Sequence, residues 1–312
     1  MSGLLQFDRL EGITLPERPL HLAIGMFDGV HLGHQSVIDS AVHSATRSGG
    51  LAGVLTFWPH PSALFRPEKP TALLMPMEMK RRVLAELGID FVIEQNFSRE
   101  FAAIEAGDFV QFLKRCLPRL SAIYVGENFR FGRGRKGDAA TLVEEGKKLA
   151  VAVYSAERLS HNGAPISSSR IRELLVKGDV VEANALLGYS YFAEGVVERG
   201  RQLGRTIGFP TLNIAWEPEL KPRFGVYAVE VLDAAGNRFK GVASYGTRPT
   251  VEAAGRPILE VHLLEDSALT YGDKVRVNWL HFLRPESKFE SLDALKKQIV
   301  VDAENARQFL AK

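Results

Sequence analysis

The chain has 312 residues, a formal net charge of +2, 46% hydrophobic and 24% charged residues, and one cysteine. At ~100–200 residues per domain this length suggests two domains, and so balanced a charge gives no case for nucleic acid as a partner beyond a local basic patch. A single cysteine, Cys116, excludes an internal disulfide, and no apolar run approaches the ~20 residues of a membrane span, so no membrane partner is expected. Cys116 falls in a helical pattern and reads as an inert core thiol. The first eight residues lack the basic and apolar regions of a signal peptide, and a cytoplasmic location is expected. Oligomeric state is not written in the sequence.

Up to about residue 187, apolar runs alternate with segments of helical period. Strands are expected at His21–Ile24, Leu51–Phe57, Phe91–Glu94, Ala122–Val125 and Val151–Ser155, and helices at about 32–48, 77–87, 107–119 and 138–149. Such alternation argues an α/β domain with a parallel sheet covered on both faces, whose ligands bind outside the carboxyl ends of the strands. The first of those ends carries Gly25-Met26-Phe27-Asp28-Gly29-Val30-His31-Leu32-Gly33-His34. A spacing of three puts His31 and His34 on one face, and Gly33 lets an anion approach a helix N-terminus. The alternative is a tight turn with two solvated histidines, and Asp28 is equally at home as a turn residue. Phe57-Trp58-Pro59-His60-Pro61 and Gly126-Glu127-Asn128-Phe129 occupy two further strand ends.

There is no P-loop. Gly132-Arg133-Gly134-Arg135-Lys136-Gly137 matches the dinucleotide fingerprint G-x-G-x-x-G, with Glu157 20 residues beyond, but it follows the fourth strand instead of the first. A dinucleotide oxidoreductase is therefore a poor rival, and this basic loop reads as a phosphate contact or as solvated surface. In Pro165-Ile166-Ser167-Ser168-Ser169-Arg170-Ile171-Arg172, serines precede an apolar helical pattern. Hydroxyls and free N–H groups at a helix start can hold phosphate oxygens, and Arg172 can reach the same anion; capping alone would need one serine.

A last short helix runs from Gly178 to Gly188, and then the period changes to two. Tyr191–Glu198, Gly225–Leu232, Phe239–Tyr245, Ile258–Leu264 and Lys274–Phe282 read as strands of a small antiparallel β-barrel. A C-terminal helix follows, its buried stripe expected at Leu292, Leu295, Ile299, Ala303, Ala306 and Leu310. The domain boundary is expected at about 188. Gly204-Arg205-Thr206-Ile207-Gly208-Phe209-Pro210-Thr211-Leu212-Asn213 is either a wide hairpin loop or a flap whose Thr211 and Asn213 oxygens hold Mg²⁺.

Gly25–His34 together with Ile166–Arg172 resembles the H-x-G-H and I-S-S-T-x-x-R pair of the nucleotidyltransferase superfamily, Ser169 standing where threonine is usual. The wider stretches G-M-F-D-G-V-H-L-G-H-Q, F-W-P-H-P, V-G-E-N-F-R-F-G-R-G-R-K-G-D and I-S-S-S-R-I-R are similar to the prokaryotic bifunctional riboflavin kinase/FMN adenylyltransferase family. G-R-T-I-G-F-P-T-L-N, F-G-V-Y-A, G-T-R-P-T, L-E-V-H-L-L and L-R-P-E-S-K-F extend the likeness through the last 125 residues. The resemblance implies a Rossmann-like nucleotidyltransferase domain over 1–187, making FAD from FMN and ATP, and a riboflavin kinase barrel over 188–312, making FMN from riboflavin and ATP. Both steps would use Mg²⁺, and the only partners implied are small-molecule substrates.

Carried over, His31, His34 and Arg172 would be catalytic in the first domain. Gly25, Phe27, Gly33, Ser168 and Ser169 would bind its ATP, and Pro59, Pro61, Asn128 and Arg130 would contact flavin. In the second, Glu260 would be the catalytic base, Gly208 would bind ATP, and Thr211 and Asn213 would hold the metal. Leu269 and Val251 depart from the family's usual aspartate and phenylalanine, which touches flavin contacts more than chemistry. Other readings are that one domain alone is active, or that the chain is a flavin-binding sensor whose chemistry has lapsed.

Overall fold

The computed structural model describes residues 3–200, 204, 207–247 and 257–311. Arg205 and Thr206 of the flap motif, Arg248 to Thr250 of G-T-R-P-T, and Val251 lie outside the described residues. By its contacts the chain divides into two units, Met1–Ser168 and Ser169–Lys312.

The first unit is built on one sheet of β1 (Leu5–Phe7), β2 (Leu20–Ile24), β3 (Leu51–Trp58), β4 (Phe91–Asn96), β5 (Leu120–Gly126) and β6 (Ala152–Ala156). The order is β1-β4-β3-β2-β5-β6, and every pair is parallel. All residues of β2 are buried, as the apolar run requires of a central parallel strand. Between the strands run α1 (Leu32–Ser48), α2 (Pro61–Phe65), α3 (Met77–Glu86), α4 (Arg99–Ala102), α5 (Phe109–Cys116) and α6 (Ala139–Lys148). From β2 the chain winds one way through β3 and β4, then returns to lay β5 on the other side. The point where the winding reverses therefore lies between β2 and β5, and there the crevice beyond the strand ends is a natural ligand site. A ribbon of β7 (Ser160–His161) and β8 (Ala164–Pro165) follows, turned by Asn162 and Gly163, both at positive φ. Cys116 is half-buried against the core, and burial pushes its thiol up, as an inert thiol requires.

The second unit contains a closed antiparallel barrel of β9 (Phe192–Glu198), β10 (Leu212–Ile214), β11 (Gly225–Leu232), β12 (Arg238–Thr247), β13 (Pro257–Leu263) and β14 (Lys274–Pro285), in the order β10-β13-β12-β11-β14-β9. Tyr227, Tyr245 and Trp279 fill it, the Trp279 ring lying 4.5 Å from Tyr227 and 5.4 Å from Tyr245. The terminal helix α9 (Leu292–Leu310) sets Ala303 and Ala306 against Val226, Ala228 and Val242 on the outside of the barrel. Its expected stripe holds only in part, because Leu292 is 65% exposed. The helix is instead anchored by buried Asp302, whose carboxylate accepts from Arg284 Nε and Nη2 at 2.8 and 2.7 Å.

Helices α7 (Ser168–Lys177) and α8 (Val180–Leu187) pack on this barrel. Asn184 Nδ2 donates to Trp279 O at 2.8 Å, and Arg223 N donates to Leu175 O at 2.9 Å. The division by contacts thus falls ahead of residue 188, where the hydrophobic period changes.

Candidate functional site

The turn after β2 is tightly determined. Phe27 and Val30 sit at φ 46° and 36°, a region that bulky side chains rarely enter, and Gly29 sits at 79°. The bend is held by Asp28, which is 2% exposed and whose carboxylate accepts from Leu74 N at 3.0 and 3.2 Å. Asp28 therefore braces the turn, as its reading as a turn residue expects. At the start of α1, His31 Nδ1 accepts from His34 N at 3.3 Å. His31 is thus an N-cap with Nδ1 unprotonated, and a neutral ring carries its proton on Nε2.

The two imidazoles stack, with centroids 3.6 Å apart and 16° between planes, and Phe27 meets His34 edge-on at 5.3 Å. Glycines make this packing possible. A Cβ on Gly33 would lie 3.2 Å from the His31 ring, and one on Gly25 would lie 3.1 Å from Phe27. No acidic residue lies in the first turn of α1, so its N-terminal field is left to attract an anion.

Burial, the His31 ring and Lys80 hold the His34 imidazole well below the usual histidine range, so His34 is neutral at pH 7. Its Nδ1 is buried with no hydrogen-bond partner among the described residues. Lys80 was missed by sequence reasoning because a lysine on a helix reads as solvated. The available signal was its place beside Met79, Val83 and Leu84 on the buried stripe of α3.

Ser168 Oγ donates to Asp28 O at 2.8 Å, which joins the serine run to the histidine turn. Ser168 opens α7, Ser169 follows in its first turn and Arg172 begins the second; the four-residue spacing puts Ser168 and Arg172 on one face. Arg170 instead pairs with Glu182 at 2.7 Å. Pro59 and Pro61 flank His60 beyond β3, where His60 caps α2 and Trp58 and Phe65 are exposed. Asn128 and Arg130 are exposed beyond β5, Arg130 lying 3.7 Å from Asp138.

The glycine-rich loop is not a dinucleotide cradle. Asp138 forms a capping box with Thr141, so a carboxylate already occupies the N-terminus of α6 where a pyrophosphate would sit. Gly137 serves packing, because a Cβ there would lie 2.6 Å from the Phe131 ring. Arg133 is spent on Glu105 at 3.1 Å.

In the barrel, Leu259 and Val261 point inward and are fully buried, which turns Glu260 to the outer face. Asn213 lies directly across from Glu260, and residues so paired share a face. Thr211, two residues before Asn213, continues that face. Sequence reasoning missed two neighbours on it. Glu198 pairs with Asn213 from the other side, and His262 Nδ1 lies 2.9 Å from Pro210 O. With the ring as donor, His262 ties the loop before Thr211 to the strand of Glu260. Gly208 sits at φ 91° at the exposed tip of that loop. A Cβ on Gly200 would overlap the Asn213 amide, and one on Gly204 would lie 3.3 Å from Thr211 Oγ1. The two glycines thus let the Asn213 amide and the Phe209 carbonyl pack directly against the backbone. Among the described residues, no cluster of His, Cys, Asp and Glu side chains forms a metal site, and no helix is long and apolar enough to cross a membrane.

Residues 15–170 match the FAD synthetase family, and residues 187–310 match the riboflavin kinase family. The chain is 40% identical over 294 residues to a bifunctional riboflavin kinase/FMN adenylyltransferase of Escherichia coli, with 94% of each chain covered. The enzyme of the same description from Bacillus subtilis is 36% identical over 296 residues, covering 93% of this chain and 92% of that one. A crystal structure titled as a macrolide-efflux protein from Streptococcus pneumoniae superposes with a TM-score of 0.88 at 28% identity, covering 97% of this chain and 98% of that one. The two-part architecture is thus shared over nearly the full length.

Proposed function

Since the chain belongs to the bifunctional riboflavin kinase/FMN adenylyltransferase family, we propose a division of its chemistry in which residues 1–187 serve adenylyl transfer and residues 188–312 serve the kinase step. The chain phosphorylates riboflavin to FMN and adenylylates FMN to FAD.

In adenylyl transfer, an oxygen of the FMN phosphate attacks the α-phosphorus of ATP, and the bond to the bridging oxygen breaks to release pyrophosphate. The nucleophile is already an anion, so the site needs no strong base. It needs alignment and donors for the growing negative charge. His31, His34, Ser168, Ser169 and Arg172 supply these, while Gly25, Phe27 and Gly33 shape the pocket for ATP. Pro59, Pro61, Asn128 and Arg130 border the flavin. A neutral His34 suits hydrogen bonding to phosphate without a titration near pH 7.

Phosphorylation differs because a primary hydroxyl is a poor nucleophile. Glu260 accepts the proton of the riboflavin 5′-hydroxyl as its oxygen bonds to the γ-phosphorus and ADP departs. Thr211 Oγ1 and Asn213 Oδ1 fit Mg²⁺, since both are hard oxygen donors on one strand face, across from a carboxylate. When bound, the ion neutralises charge on the nucleotide phosphates. Gly208 lets the loop bend over ATP.

The observation that carries this reading is the Asn213–Glu260 register, which sets an oxygen donor for a cation against a carboxylate base. The test is incubation with riboflavin, ATP and Mg²⁺, followed by chromatography. FMN is expected to form first and FAD after it, and chelation by EDTA is expected to stop both. FMN and FAD formation undiminished in EDTA would refute the metal assignment.

A further inference from the structure

Lys80 lies outside every motif of the chain, yet it is only 1% exposed and reaches the floor of the histidine turn. Its Nζ donates to Met26 O at 2.8 Å and lies 3.4 Å from Thr56 Oγ1. Among the described residues, no carboxylate is within ion-pair distance of it. The charged and titratable groups around it are Asp28, His31 and His34 on the turn and the start of α1, and Glu94 on β4. Asp28 is engaged by Leu74 N–H, and Glu94 is held by the Arg81 guanidinium.

A buried cation without a direct counter-ion is costly, and such groups cluster at sites that use their field. As a brace for Met26 O alone it is redundant, because Thr56 Oγ1 donates to the same carbonyl at 3.0 Å.

We propose that Lys80 is a positioning residue for adenylyl transfer, which, anchored on the Met26 carbonyl, places a positive charge behind the His31–His34 pair to draw in the ATP phosphates. This rests on the reading of that pair as the ATP site. Burial lowers the Lys80 ammonium to about 8, with Asp28 and Glu94 opposing the shift. Because the folded value is depressed, the unfolded chain binds the proton more tightly, and the charge weighs against folding below about pH 8. The Lys80→Met chain should consequently fold at least as stably as the original. A purely structural lysine would give the opposite result.

The test compares the full-length chain with Lys80→Met and Lys80→Arg, supplying FMN and Mg²⁺-ATP for one assay and riboflavin and Mg²⁺-ATP for the other. Lys80→Met is expected to lose about 10²-fold in FAD formation. Its kinase rate and melting temperature should be undiminished, its His34 NMR titration should move up toward the ordinary range, and Lys80→Arg should restore part of the activity. In the original chain, kcat/KM for FAD formation should fall as pH rises through about 8 while the kinase value does not. This arm stands even if Lys80→Met fails to fold.

A flat profile from pH 7 to 10, or FAD formation unchanged in Lys80→Met, would overturn the proposal. So would a loss of activity with His34 titrating unchanged. If replacing His34 itself leaves FAD formation intact, it is the ATP-site reading that fails.

Discussion

Replacing His31 by asparagine is expected to lower FAD formation about 10²–10³-fold, the usual cost of removing one donor to developing charge. Asparagine is the informative choice because His31 has a structural job beside the catalytic one proposed for it. Its Nδ1 caps α1, and alanine would add about 1 kcal/mol of lost capping to any chemical effect. Asparagine caps as well as any residue, so only the imidazole is removed. With it go the stack on His34 and the Nε2 donor directed by the cap. Given riboflavin and ATP, this variant is expected to accumulate FMN at the original rate and make almost no FAD. Loss of both products together would mean the two reactions do not occupy separate sites.

The Glu260→Gln substitution is expected to have the converse effect. Glutamine keeps the size, the outward direction and the register against Asn213 and Ser244, so the barrel is unaltered. It removes the ability to take a proton, which for a positioned base is worth about 10²–10⁴-fold. FMN production from riboflavin should fall by that factor, while FMN supplied from outside is still converted to FAD. An unchanged kinase rate would remove Glu260 from the role of base and leave it a surface residue of β13.

Much of this was legible in the sequence because glycine, histidine, serine and proline carry their geometry with them. Gly25–His34 reads as a strand-to-helix turn from its glycines, and the structure adds the reason for two of them in the close ring packing at Gly25 and Gly33, while Phe27 and Val30 share the bend with Gly29. The period-two runs of the barrel were readable from alternation of residues such as Leu259, Glu260 and Val261. By contrast, β1 and β10 have three residues each, too few for any period to emerge. The Asn162–Gly163 turn carries a strong hairpin signal, but its strands are two residues long and have no hydrophobic pattern.

The register that sets Asn213 across from Glu260 is a tertiary fact, since 47 residues separate them in the chain. Lys80 was hidden for a different reason. Periodicity assigns charge to the wet face of a helix, and a lysine that is only 1% exposed contradicts that assumption. The packing of α7 and α8 was also unreadable. The serine run that opens α7 was read with the first domain, whereas the contacts of the two helices, such as Asn184 with Trp279, belong with the barrel.

The central claim is that one chain cleaves ATP in two ways, at the γ-phosphorus in the barrel and at the α-phosphorus beyond the parallel sheet. The most direct measurement follows radioactive phosphorus from ATP into the products formed from riboflavin. Label at the γ-position should enter FMN and persist in FAD. Label at the α-position should be absent from FMN and appear in FAD. Any α-label in FMN, or FAD formed without it, would contradict the account.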